Sequence, residues 1–143
     1  MIVKYLVAFI LFILMHTITY AQAGSTLPER FDVVASFGSI CCGPVDDSFL
    51  KTYIKQFDLK HKVAVSVWQK GGCGREGEFK ILFSLNNLSA SAKKKLITGL
   101  KKLLCDQNYK NKKLKASSGQ VSLIYDLPAN ELTNCRGELT IWK

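Results

Sequence analysis

The chain has 143 residues, 48% of them hydrophobic and 22% charged, which is enough apolar material to build a core. Its 20 basic and 11 acidic residues leave a formal charge of +9, a surplus that favours anionic partners where it is concentrated. Two histidines and no HExxH, Walker or nucleophile-elbow pattern leave the common hydrolytic and nucleotide-dependent chemistries without a motif.

The N-terminus comes first. Lys4 precedes an unbroken apolar run from Tyr5 to Met15, and a polar stretch then ends in Ala21-Gln22-Ala23 before Gly24. A positive start, a short apolar middle and small residues two apart predict a secretory signal peptide over residues 1–23. The run is too short for a membrane span, which needs roughly 20 apolar residues, and no later stretch is longer. The expected product is a single small α+β domain, residues 24–143, secreted or periplasmic and not transmembrane, in a compartment where disulfides persist. In a eukaryote Asn87-Leu88-Ser89 would be a glycosylation acceptor, but Ser89 fits better as a helix cap, a role that Ser91 could also fill.

Phe31, Val33, Ala35 and Phe37 recur at alternate positions and predict a half-buried strand. Gly38 to Pro44 reads as a turn-rich loop carrying Cys41 and Cys42. Pro44 suits a first helical turn, with Asp46 and Asp47 near its positive end. Val45, Phe49, Leu50, Tyr53, Ile54 and Phe57 then repeat at helical spacing. Val63, Val65 and Val67 give a second strand, and Phe79, Ile81, Phe83 and Leu85 a third; the glycine-rich hairpin loop between them holds Cys73. Leu96, Ile97, Leu100, Leu103 and Leu104 mark a second helix with Gly99 as its weak spot, followed by a lysine-rich loop. Val121, Leu123, Tyr125 and Leu127 predict a fourth strand, and Leu139 to Trp142 a short fifth.

Strand, helix, strand, strand, helix, strand is the order of ferredoxin-like βαββαβ folds, here with an extra C-terminal strand. Right-handed crossovers lead to an antiparallel sheet in order 4-1-3-2 with two helices packed on one face. In that fold Cys41, Cys42, Cys73 and Cys105 converge on one pole, while Cys135 falls towards the other. Disulfides are then the leading expectation, with Cys73 bonded to Cys41 or Cys42 and Cys105 to the remaining thiol; a Cys105–Cys135 bond is the rival. The alternative is a thiolate metal site, and Cu or Zn is the metal such ligands suit, although no cofactor is otherwise called for. In element order the chain resembles copper-carrying domains of the heavy-metal-associated family. That resemblance implies metal in the loop after the first strand. The family spaces its two cysteines by two residues where Cys41 and Cys42 are adjacent. A thiol–disulfide redox site is a third possibility, with Cys42 before a helix but lacking the C-x-x-C spacing.

His16 leaves with the signal peptide, so His61 is the remaining histidine, expected in an exposed loop away from the cysteines. Asp46 with Asp47 and Glu76 with Glu78 are close acidic pairs, but helix-dipole and same-face placement explain them more simply than catalysis.

Loss of Lys4 leaves a charge of +8, and residues 93–115, with nine lysines and one acid, also carry +8. The rest of the domain is therefore neutral. Lys93, Lys94, Lys95, Lys101, Lys102, Lys110, Lys112, Lys113 and Lys115 form a candidate anion-binding patch for phosphates of lipid surfaces, acidic polysaccharide or an acidic protein face. Nucleic acid fits poorly, because only Tyr109 interleaves the lysines as a stacking group.

With helices on one face of the sheet, the other carries Val34, Trp68, Leu82, Ile124 and Trp142, too apolar to leave in water. Either the segment 128–137 folds over that face, or a partner protein or a second copy docks on it. The sequence thus describes an exported, disulfide-stabilised, non-enzymatic binding domain, with the lysine helix and this face as its contact surfaces.

Overall fold

The computed structural model describes residues 27–39, 43–44, 46–113 and 119–142. The expected signal peptide, residues 1–23, and Cys41, Cys42, Val45 and Lys115 lie outside them. The described residues form an α+β structure: β1 (Arg30–Phe37), α1 (Ser48–His61), β2 (Ser66–Lys70), β3 (Phe79–Ser84), α2 (Ala90–Lys113), β4 (Val121–Pro128), a 3₁₀ helix (Ala129–Asn134) and β5 (Leu139–Ile141). The sheet is antiparallel throughout, in order β4-β1-β3-β2-β5. No helix among the described residues is long and apolar enough to cross a membrane.

Alternation along the strands sorts the apolar residues into two clusters. Val33, Ala35, Phe37, Val67, Ile81 and Phe83 pack with Leu50, Ile54 and Phe57 of α1 and Leu96, Leu100 and Leu104 of α2. Ile124, Val34, Leu82 and Trp68 are cross-strand partners in one row over β4, β1, β3 and β2, and they belong to the second cluster. The expected alternation fails at one place. Phe31 and Leu127, paired across β1 and β4, lie in the second cluster rather than with Val33. The face changes at Asp32 and Asp126. Asp32 accepts the Leu85 amide at 2.7 Å, and Asp126 takes a left-handed φ of 54°, a conformation aspartate tolerates better than bulkier residues.

The second face is covered by the chain itself. The 3₁₀ helix and its flanks place Leu132, Ala129 and Leu139 against Phe31, Val34, Trp68, Leu82 and Leu127. Phe31 meets Trp68 edge-on at 5.6 Å. Val34 and Leu82 are fully buried and Trp68 is 8% exposed, so these residues are not an open docking surface for a partner or a second copy. Trp142 also departs from the expected face. β5 pairs Ile141 with Trp68, which turns the next residue to the opposite face. Trp142 therefore joins the helix-side cluster and donates its indole N–H to Asp47 at 2.7 Å.

The cysteines pair differently from expectation. Cys73 is bonded to Cys135, with S–S 2.05 Å and a separation of 62 residues. β4 ends beside the start of β1, and the 3₁₀ helix then crosses the second face, returning Cys135 to the β2–β3 hairpin. Backbone bonds from Arg136 to Gly72 and from Gly137 to Gly71, each 3.0 Å, flank the disulfide. This approach requires glycine. A Cβ on Gly137 would stand 2.7 Å from the Gly71 carbonyl oxygen, and Gly72 has a φ of +64°.

Candidate anion-binding face

The lysine-bearing helix is longer than its leucine stripe implied. The segment after Leu104, expected as a loop, continues as helix to Lys113. Lysine is a good helix former, and side-chain bonds hold the extra turns in place. Asn108 donates to the Val121 carbonyl at 2.8 Å and accepts the Val121 amide at 2.9 Å. Buried Asn111 donates to the Gly119 carbonyl at 3.2 Å and accepts from Gln107. At the other end Ser89 caps the helix, accepting the Ala92 amide through its hydroxyl. The inner face is anchored by Leu96, Leu100 and Leu104 in the core. Its rotation is therefore set, and with it the direction of every lysine.

Lys94, Lys95, Lys101, Lys102, Lys110, Lys112 and Lys113 are all exposed. Lys93 is half-buried, 3.9 Å from Asp32, and so differs from the others. Among the described residues, ion pairs join Arg30 to Asp126, Lys51 to Asp47 and Lys93 to Asp32; none includes the seven exposed lysines. Two of them sit over aromatic rings instead: Lys101 over Tyr125 at 5.4 Å and Lys113 over Tyr109 at 4.6 Å. Such contacts orient an ammonium without neutralising it. Lys80, by contrast, is half-buried on the covered sheet face and bonded to Ser36, and its pKa is pushed down by desolvation.

The remaining candidates are scattered. Cys73 is committed to Cys135, which removes it from the thiolate site suggested with Cys41 and Cys42. Cys105 is free, exposed and on the solvent side of α2 well before its end, so it does not join the hairpin pole. Among the described residues no three metal-ligating side chains gather. His61 ends α1 with its ring 4.4 Å from that of Phe57. Asp46 accepts from the Ser48 hydroxyl and amide, which hold its carboxyl below the usual range. Asp47, the N-cap of α1, accepts from Trp142 and pairs with Lys51 at 3.3 Å. Glu78 accepts the Glu76 amide within the hairpin.

A groove of about 350 Å³ beside Trp142, lined by Ile54, Lys55, Leu59, Val65 and Val67, was not foreseen from the sequence. The only advance sign was the spacing of apolar residues on α1. Trp142 enters the groove through the register of β5, which no local pattern encodes.

Comparison with family models, curated proteins and solved structures gave no match.

Proposed function

We propose that the chain is an exported, non-enzymatic binding domain that holds an anionic partner against the outward face of α2. The strand order and the shared cluster of α1 and α2 support a ferredoxin-like scaffold behind it, with both helices on one side of the sheet and β5 added at the edge. The observation that carries the reading is the row of exposed lysines, without carboxylate partners among the described residues, on a helix whose rotation is set by packing. Holding like charges side by side is unfavourable, and an anionic partner relieves the repulsion.

The non-enzymatic part is supported by the occupations of the polar residues. Asp46, Asp47 and Glu78 are each engaged in shaping a helix start or a turn, and His61 stacks on Phe57. Export is supported by the N-terminal pattern and by a disulfide that an oxidising compartment would preserve.

The test is retention of the secreted chain on immobilised heparin and on phosphatidylglycerol vesicles over a salt series. Binding at low salt that falls steeply towards physiological salt supports the reading. Replacing Lys94, Lys101 and Lys112 by Gln should weaken it, while Lys55→Gln with Lys60→Gln on α1 should not. No binding to either anion at low salt, or binding insensitive to salt, refutes it.

A further inference from the structure

The exposed lysines of α2 are not spread evenly. Six of them form three adjacent pairs: Lys94 with Lys95, Lys101 with Lys102, and Lys112 with Lys113. Successive pairs are separated by seven and then eleven residues. On a helix of 3.6 residues per turn these steps are close to two and three whole turns, and their small angular errors have opposite sign. The third pair therefore stands above the first, eighteen residues and five turns on. At 1.5 Å per residue the three pairs form a straight stripe about 27 Å long, with intervals of about 10 and 17 Å. The leucine stripe lies on the other side, buried against the sheet. The stripe's alignment therefore survives folding and points to solvent.

Thr98, Cys105, Asp106 and Tyr109 lie between the pairs on the same face, and all four are exposed. Tyr109 is the one large hydrophobic residue exposed on α2 among the described residues. A helix that enters a bilayer needs an apolar face for the acyl region, and the apolar face of α2 is already buried. A protein partner would be expected to use packed apolar or aromatic anchors, which this surface lacks apart from Tyr109. A straight, hydrated line of positive doublets matches a straight, hydrated line of negative charge.

We infer that this face is a rail for an extended acidic polysaccharide, laid parallel to the axis of α2 and engaged by all three lysine pairs. The inference rests on the anion-binding reading above and adds the partner's shape and chemical class. The repeat leaves one gap, at Cys105 and Asp106, four residues beyond Lys101/Lys102 and seven before Lys112/Lys113, where a fourth pair would lie on the same stripe.

The experiment uses the full secreted chain and heparin oligosaccharides graded in length, with titrations at several salt concentrations. Chains long enough to reach from Lys94 to Lys113 should bind roughly tenfold or more tightly than chains too short to join two pairs, since the added pairs act as linked sites. The logarithmic salt slope with long chains should be about −4 to −5 for six lysine contacts. Lys112→Gln with Lys113→Gln should reduce that slope by about a third. Cys105→Lys with Asp106→Lys, which fills the gap, should tighten long-chain binding and leave short-chain binding nearly unchanged.

Affinity that stops rising at the shortest chains, or indifference to the gap-filling variant, overturns the rail and leaves anion binding intact. Tighter binding to vesicles of equal parts phosphatidylglycerol and phosphatidylcholine than to long oligosaccharides assigns the face to a lipid surface and also overturns it. Absence of binding to every anion at low salt sinks both readings.

Discussion

Replacing Cys73 and Cys135 together by Ala isolates the contribution of one covalent bond and leaves neither partner behind as an orphaned thiol. The bond spans 62 residues, and for a closed loop of that size chain entropy gives a stabilisation of about 4 kcal/mol. Small domains are stable by only about 5–15 kcal/mol, so the change is a large fraction of the total. The backbone bonds from Arg136 and Gly137 remain available, and Cys135 is buried, so the native fold should persist without the sulfurs. Urea unfolding followed by tryptophan emission is the suitable assay, because Trp68 lies beneath the covering segment and Trp142 sits among the helix-side core residues. With a denaturant slope of about 2 kcal/mol per molar, the midpoint should fall by about 2 M, and the slope should rise slightly because the unfolded chain without the cross-link is less compact. A fall of less than about 0.5 M would refute the reasoning, since the bond would then close a loop already closed in the unfolded chain.

Leu132→Ala removes the side chain that the 3₁₀ helix places in the second cluster; it should cost about 2–4 kcal/mol and shift Trp68 emission to the red, and an unchanged spectrum would mean that the cover does not rest on Leu132. Gly99→Ala adds a Cβ that would collide with the end of the Tyr53 ring, whose hydroxyl donates to the Leu96 carbonyl; the ring must swing aside and give up that bond, so the gain of about 1 kcal/mol that alanine brings to a helix should be largely cancelled, and a melting temperature raised by the full propensity gain would refute the close approach. The carboxyl of Asp126 is held below its usual range by hydrogen bonds from Arg30, so the pair stabilises the fold above that range and its contribution is lost as the pH falls through the lowered value. Arg30→Gln should therefore lower the unfolding midpoint at neutral pH, by a small amount for so exposed a pair, and match the parent in acid; a gap that persists in acid would point to lost packing instead.

Much of the architecture was legible because alternation and helical spacing are local. The apolar rows of β1 and β3 and the leucines of α2 name the core directly. The lysine segment was legible as charge but not as helix. Its last turns depend on Asn108 and Asn111 reaching Val121 and Gly119, partners eight to thirteen residues away across an unpatterned stretch. The cysteine pairing was not legible at all. Element order alone leaves Cys135 at the far end of the sheet; only the crossing of Ala129–Asn134 over the second face brings it to Cys73.

By itself the sequence determined most of the elements, though not the last turns of α2 or the 3₁₀ helix, together with the apolar sides that must be buried and the concentration of positive charge in one segment, since each depends on residues near one another along the chain. Tertiary structure alone decided which face each tryptophan occupies, what covers the sheet and which sulfurs meet. Those outcomes turn on strand register and on the path of a connection, where a shift of one residue reverses a side chain and one crossing moves a cysteine the length of the domain.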